Sequence, residues 1–520
     1  MKAFDYFKEL NKIPRGSFNE KQVANYLCDF AKKMGLKYKI DDLFNVKIFK
    51  DNGSDKTIIL QAHMDMVCEK LKGVNFDFEK EAIKTIIDGD FIRADGTTLG
   101  GDDGFGVSLI LEMLEECGEG FPNIEAVFTS QEESGMGGAK FIDTGDLSGK
   151  FLLGLDGTSS NELIISSAGS CRLDFEKKFY GENIKIDNAD CECKGKNAGE
   201  ECLNSKEEGI GETQENCNYN LFKLEVLGLL GGHSGEDIDK GRANANVVGF
   251  EILGNLAKQP LKIVEINGGG KDNAIPREFT AVFESALSLK EIESVLNEYN
   301  QLFANNFPNE INATFSIQTS ENNLNLFNQF ENCSNQKDCS NVSCLALSET
   351  DSKNLIDFIT HFPNGVIEKT AESGQVICSI NLANVQVKNA QFISRTMLRF
   401  NTTKAQSDAL NEFTLYSNSK NYKCILRDSA PFFEASVKHD LIDIAVKSYE
   451  QCGFTNLNVM QIHAGLEGGI FAEKIPNLQV VVLGADLYDI HTPQEKMRIS
   501  SLTKLSCSNA FSLNSIIVLL

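Results

Sequence analysis

The chain has 520 residues, 42% hydrophobic and 24% charged, a length and balance that fit a globular protein of roughly two to four domains. Its 50 basic residues against 74 acidic ones leave a formal charge of −24, which argues against a nucleic-acid binder, because phosphates demand a cationic face. Charges occupy the N-terminus where a signal peptide needs an apolar stretch, and no segment reaches the ~20 apolar residues of a membrane span. A cytoplasmic protein with no membrane partner is the expectation.

The first element predicted is a helix over 17–34, with Val23, Leu27, Phe30 and Met34 at helical spacing and Ser17 with Glu20 as a capping box. Strand-like runs follow at Val46–Phe49, Thr57–Gln61, Ile124–Thr129 and Phe151–Leu155, with a helical run Val107–Cys117 between them. This alternation predicts an α/β domain with a mainly parallel sheet. Three of these strands run into chemistry-bearing residues: His63, the Glu132–Glu133 pair, and Asp156. Sites in open α/β sheets gather at such strand ends.

From about residue 172 the pattern changes. Phe222–Leu227 and Phe279–Phe283 alternate as strands, and Leu289–Phe303 reads as an amphipathic helix capped by Ser288 and Glu291. Two polar stretches, 183–219 and 319–345, read as exposed insertions. Near 427 the α/β texture returns, with a helix Leu441–Tyr449 and an apolar strand Leu478–Leu483. The organisation expected is a discontinuous catalytic domain, 1–172 plus 427–520, interrupted by an α+β domain over 173–426.

Of the fifteen cysteines, Cys28, Cys117 and Cys378 sit among apolar neighbours and read as core residues. Cys191, Cys193, Cys202 and Cys217, then Cys333, Cys339 and Cys344, cluster in the two insertions without the paired C-x-x-C spacing of structural zinc. Reduced thiols on solvated loops are the expectation there.

The candidate metal ligands are His63, Asp65, Asp102, Glu132, Glu133, Asp156 and His491, donors that suit Zn²⁺, Mn²⁺ or Co²⁺. Taken singly, His63 also fits a boundary histidine, Asp102 a turn and cap, and Glu132–Glu133 a solvated pair. Their conjunction with further motifs changes the reading.

Gln61-Ala62-His63-Met64-Asp65-Met66-Val67, Thr97-Thr98-Leu99-Gly100-Gly101-Asp102-Asp103-Gly104, Glu132-Glu133-Ser134-Gly135-Met136, Gly231-Gly232-His233-Ser234-Gly235, Asn273-Ala274-Ile275-Pro276-Arg277-Glu278, Pro363-Asn364-Gly365-Val366 and Ile462-His463-Ala464-Gly465-Leu466-Glu467 occur in this order. The set resembles the aminoacyl-histidine dipeptidases (Xaa-His dipeptidases, cytosolic non-specific dipeptidases) of the co-catalytic di-zinc aminoacylase and carboxypeptidase family, nearly end to end. The resemblance implies an exopeptidase fold with an inserted lid or dimerisation domain, two Zn²⁺ per subunit, a homodimer through the inserted domain, and dipeptide substrates of the Xaa-His class.

It implies that His63 and Asp156 bind one ion, Glu133 and His491 the other, and Asp102 both. Asp65 would orient His63, and Glu132 would be the general base. His233 would stabilise the oxyanion from the second domain, often in the partner subunit's site. Asn273 and Arg399 would hold substrate, Arg395 competing with Arg399, and His463 and Glu467 would line the site. The insertions at 183–219 and 333–344 are longer than the resemblance implies. A deacylase or carboxypeptidase of the same fold, acting on N-acyl amino acids, and a non-catalytic dimeric binding protein are the competing readings.

Overall fold

A computed structural model describes residues 2–186, 219–319, 342–371, 373–434, 440–451 and 455–505. The chain divides into two units, Met1–Ser170 with Arg399–Ala405 and Ser429–Leu520, and Cys171–Leu398 with Gln406–Asp428. The short piece Arg399–Ala405 thus belongs with the first unit, although in sequence it lies inside the expected insertion.

In the first unit both faces of the central strands are covered, which explains why those strands are apolar throughout. Within Thr57–His63, the side chains of Ile58, Leu60 and Ala62 enter one buried cluster with Phe105 and Leu109, whereas Ile59 enters a second with Ile470 and Phe471. The two-residue period of a strand divides them this way, placing helix Gly101–Glu116 on one face and helix Glu467–Lys474 on the other. Each fully buried aliphatic side chain contributes roughly 1.5–3 kcal/mol.

The eight strands lie in the order Lys37–Ile40, Val46–Lys50, Asn123–Thr129, Thr57–His63, Phe151–Gly157, Gln479–Gly484, Glu162–Ser166 and Asn458–Gln461. The four central ones are parallel, as the alternation of strands and helices predicts. His63 pairs with Thr129 and Gln61 with Gly154, so His63, the turn after Thr129 and Asp156 emerge at one carboxyl-terminal edge.

The predicted capping box at Ser17 and Glu20 does not form. The helix spans Lys21–Lys33 and its N-cap, Glu20, makes no side-chain cap. Ser17 Oγ instead donates to Asp65, and Glu20 Oε1 accepts the backbone N–H groups of Phe18 and Gln131. A local capping pattern loses here to partners distant in sequence. At the helix Leu289–Asn306 the predicted box of Ser288 and Glu291 is present on both sides.

The second unit is built on a sheet ordered Thr314–Thr319, Asn220–Leu227, Phe279–Ser285, Leu261–Gly268, Val376–Lys388, Gln391–Phe400, Gly169–Lys178 and Lys423–Ala430, antiparallel from Thr314–Thr319 through Val376–Lys388, with Gly365–Lys369 also paired antiparallel to Val376–Lys388. Helices Ala245–Leu256 and Leu289–Asn306 pack on it. The inner edges of the two polar stretches are ordered strands: Asn183 pairs with Leu345 and Ile186 with Val342 in an antiparallel ladder. That pairing spans more than a hundred residues and replaces the loop reading at those edges. The remainder of both stretches, with Cys191, Cys193, Cys202, Cys217, Cys333 and Cys339, lies outside the described residues. Cys28, Cys117 and Cys378 are buried and form no disulfide, the core placement expected of them. Among the described residues no helix is long and apolar enough to cross a membrane.

Candidate active site

His63 closes its strand and is 1% exposed, so its ring is held where the sheet ends. Its Nε2 lies 3.0 Å from Asp102 Oδ1 and 3.5 Å from Asp156 Oδ1. The other oxygen of Asp102, Oδ2, lies 3.2 Å from His491 Nε2, which is also 3.2 Å from Glu133 Oε1. Asp102 therefore gives one oxygen to each of two histidine–carboxylate groups. Ligands 2.0–2.2 Å from a tetrahedral zinc stand about 3.3–3.6 Å from one another, close to these spacings. Among the described residues, three groups could hold a metal ion: His63 with Asp102 and Asp156, His63 with Glu132 and Glu133, and Asp102 with Glu133 and His491.

The two turns that deliver the outer groups are themselves constrained. Gln131 has φ +55° and His491 φ +62°, left-handed conformations that cost a non-glycine residue roughly 1–2 kcal/mol. Gln131 is held there by Glu20, and the next two N–H groups, of Glu132 and Glu133, donate to the two oxygens of Asp65 at 3.0 and 3.2 Å. Asp65 Oδ1 is also 3.5 Å from His63 Nδ1, the distance of an ion pair more than of a hydrogen bond.

Burial opposes the charges of His63, His491, Asp102, Asp156 and Glu132, and their neighbours set the direction in which each is shifted. It pulls His63 down, but the carboxylates of Asp156, Asp102 and Asp65 raise that imidazole well above its ordinary value. His491 is likewise lowered by burial and raised by Asp102 and Glu133, to about 11. Asp102 resists burial because His491 and His63 hold its carboxylate far below the usual range. Burial and the charge of Asp102 push Asp156 up to about 7. Burial, then Asp156, Glu133 and Glu467, push Glu132 well up against the pull of His63. A cationic occupant would relieve this excess of acidic groups.

Glu467, expected to line the site, is 2% exposed; its Oε2 accepts from Gln61 Nε2 at 2.6 Å and Thr129 Oγ1 at 2.5 Å, and burial pushes its carboxyl to about 8. Both donors belong to the strands that end at His63 and Thr129. His463 is half-buried, with Nδ1 2.7 Å from Asn401 Oδ1; Asn401 Nδ2 donates to the Ile462 carbonyl, so Nδ1 carries the proton of a neutral ring. Arg399 is 5% exposed, whereas Arg395, four residues earlier on the same strand, is exposed.

In the second unit His233 pairs with Ala274, and Ser234 N–H donates to the Asn273 carbonyl at 2.9 Å, which brings His233 and Asn273 together. His233 Nδ1 accepts the N–H of Glu236 at 3.2 Å, so a neutral ring carries its proton on Nε2. Asp237 accepts the His233 N–H at 2.8 Å and Arg242 Nη2 at 2.9 Å, while Arg242 Nη1 donates to the Gly231 carbonyl. Buried Glu310 accepts the N–H groups of Leu230 and Ala243 at 2.7 and 3.0 Å, closing both ends of this loop. Asn364 enters the same support: Asn244 Nδ2 donates to Asn364 and Asn381, and Asn381 Nδ2 donates to the Ala274 carbonyl.

Sequence reasoning missed Ser17, Glu20, Asp237 and Glu310, and also Arg15, Asp103 and Glu495 around the Asp102 turn. Asp103 is fully buried, and its carboxylate accepts the N–H groups of His63 and Gly106. Its position beside Asp102 in the glycine-rich motif was the one available signal.

A family model described as peptidase family M20/M25/M40 matches residues 59–507, most of the chain and every residue of the metal-capable cluster. The chain belongs to this peptidase family. It is thus a hydrolase of the peptidase kind. It is 27% identical over 505 residues to the cytosol non-specific dipeptidase of Escherichia coli (strain K12), covering 96% of this chain and 94% of that protein. The crystal structure of aminoacylhistidine dipeptidase from Vibrio alginolyticus superposes with a TM-score of 0.73 at 26% identity, covering 100% of this chain and 95% of that one. The metallo-carboxypeptidase Sso-CP2 of Sulfolobus solfataricus shares the fold, with a TM-score of 0.50 at 12% identity over 100% of this chain and 99% of that chain. As a member of the peptidase family, the chain has the α/β fold with an inserted unit that its sequence predicts.

Proposed function

We propose that this peptidase hydrolyses dipeptides, with Xaa-His among its substrates, at a pair of zinc ions. The observation that carries the reading is the division of Asp102 between His63 with Asp156 and His491 with Glu133. A carboxylate placed between two imidazole–carboxylate pairs suits two cations that must be shielded from each other. The names of the relatives at 27% and 26% identity support dipeptides, and the word cytosol in one supports a cytoplasmic enzyme. Mn²⁺ or Co²⁺ suits the same donors.

His63 and Asp156 would hold one ion, Glu133 and His491 the other, with Asp102 common to both. Two bound ions would supply an acidified water and polarise the scissile carbonyl. Glu132, beside Glu133 but outside the Asp102 pairs, takes a proton from the attacking water as its oxygen bonds to the carbonyl carbon. The C–N bond then breaks as the amine nitrogen receives that proton, releasing two amino acids. Asp65 orients His63 and both glutamates. His233, with its proton on Nε2, is a donor suited to a tetrahedral oxyanion. Asn273, Arg399 and His463 would contact substrate, and Arg399 can pair bidentately with a carboxylate. Glu467, bonded to Gln61 and Thr129, would support the strand ends. The inserted unit would form the homodimer.

A panel of free dipeptides assayed beside N-acetyl amino acids tests this directly. Dipeptide turnover should exceed acyl turnover, with Xaa-His among the faster substrates. Faster cleavage of the acyl compounds would overturn the dipeptidase reading in favour of a deacylase.

A further inference from the structure

Three segments of the first unit would have to stay in register for two ions to bind: His63–Asp65, the turn ahead of Asp102, and Asp489–Glu495. Two charged side chains link them. Arg15, 2% exposed, donates through Nη1 to the carbonyls of Met64 and Asp65 at 3.2 Å each, and through Nη2 to the carbonyl of Gly100. Glu495, also 2% exposed, accepts the N–H groups of Leu99 and Gly100 on Oε2 at 2.7 and 3.0 Å, and that of Gly101 on Oε1 at 2.7 Å. The residue Gly100 is therefore gripped from both sides, its N–H by Glu495 and its carbonyl by Arg15, two residues ahead of Asp102. Gly100 has φ +68°, and a Cβ there or at Gly104 would run into the Arg15 guanidinium, so the glycines of the motif make room for it.

We propose that Arg15 and Glu495 are positioning residues for Asp102, and that this joint sets how tightly the second metal ion is held. The proposal rests on the two-ion reading above. Glu495 is four residues from His491, so the segment that supplies one ligand also holds the turn that supplies Asp102. Arg15 ties that turn to the backbone immediately following His63. With one Asp102 oxygen facing each group, a shift of the turn shortens one side only by lengthening the other. Stability alone does not call for this arrangement. Burying opposite charges is costly, and well-packed apolar replacements are often as stable. The forked guanidinium and the three-fold acceptor fit a requirement for position.

The test is calorimetric titration of the full chain, stripped by a chelator, with Zn²⁺, repeated with Co²⁺ while its visible absorption is recorded. The wild-type chain should bind two ions. Glu495→Gln and Arg15→Lys should each bind one of the two about 10–100-fold more weakly, with a changed Co²⁺ spectrum, while remaining folded by circular dichroism. Glu495→Asp, which keeps the charge, should recover part of the affinity. Wild-type affinity and spectrum in folded Glu495→Gln and Arg15→Lys would overturn the proposal; if Glu495→Gln does not fold, Arg15→Lys decides it alone. A wild-type chain that binds fewer than two ions would instead defeat the two-ion reading, and this inference with it.

Discussion

Asp65 Oδ1 accepts the backbone N–H of Glu132 at 3.0 Å and stands 3.5 Å from His63 Nδ1. Its other oxygen accepts the Glu133 N–H and the Ser17 hydroxyl. One buried carboxylate thus fixes the histidine ending one strand and the two glutamates following the next. Asp65→Ala is expected to lower metal affinity about 10–100-fold and to reduce kcat even at saturating zinc. Metal analysis after dialysis at fixed free zinc, with kcat measured in zinc excess, checks both effects; unchanged values would refute the role.

Ser17 separates two readings of one residue. As a helix cap, its loss would cost roughly 1 kcal/mol of stability. As a donor to the buried Asp65 carboxylate, its loss should cost roughly 1–3 kcal/mol of stability and also reduce activity roughly tenfold, an effect that loss of a cap would not bring. Thermal melts and steady-state kinetics of Ser17→Ala distinguish the two.

Glu310 holds the ends of the His233 loop in the second unit, whereas the metal-capable residues belong to the first. Glu310→Gln puts an amide donor against one of two buried N–H groups, a loss of roughly 1–3 kcal/mol. The expected result is a kcat reduced about tenfold with metal content unchanged. A parallel fall in bound metal, or no change in kcat, would contradict the assignment of His233 to the oxyanion.

Asp146 offers a pH test far from the chemistry. Burial raises its carboxyl, but Lys39 and Lys47 outweigh burial and hold it below 3.8. A lowered folded value contributes stability that is present above 3.8 and lost as pH falls through the folded value. Asp146→Asn should therefore be less stable than wild type by about 1 kcal/mol at pH 7, and the two melting curves should converge in acid below 3.8. A gap that persists there would contradict the pairing.

Much of the cluster was legible because regular elements place it. His63 and Asp156 sit at the ends of parallel strands, whose apolar runs and turns are local signals, and the glutamate pair follows the strand between Val46–Lys50 and Thr57–His63. The supports were not legible, because their partners are remote. Ser17 and Glu20 satisfy a capping pattern in sequence but bind Asp65 and Gln131 across the fold. Arg15 and Glu495 lie outside every motif the sequence singles out, and only the fold brings both to Gly100. Glu467 belongs to a recognisable motif, yet only its bonds to Gln61 and Thr129 place it beneath the strand ends. The strand pairing of Ile184 with Cys344 likewise depends on chain closure that composition does not reveal.

The most direct test is to strip the protein of metal and restore Zn²⁺ stepwise while following hydrolysis of a free dipeptide. The account expects no hydrolysis in the metal-free protein, a full rate only once about two ions per chain are bound, and none at any occupancy for Glu132→Gln. Full activity without metal, or saturation at a single ion, would contradict it.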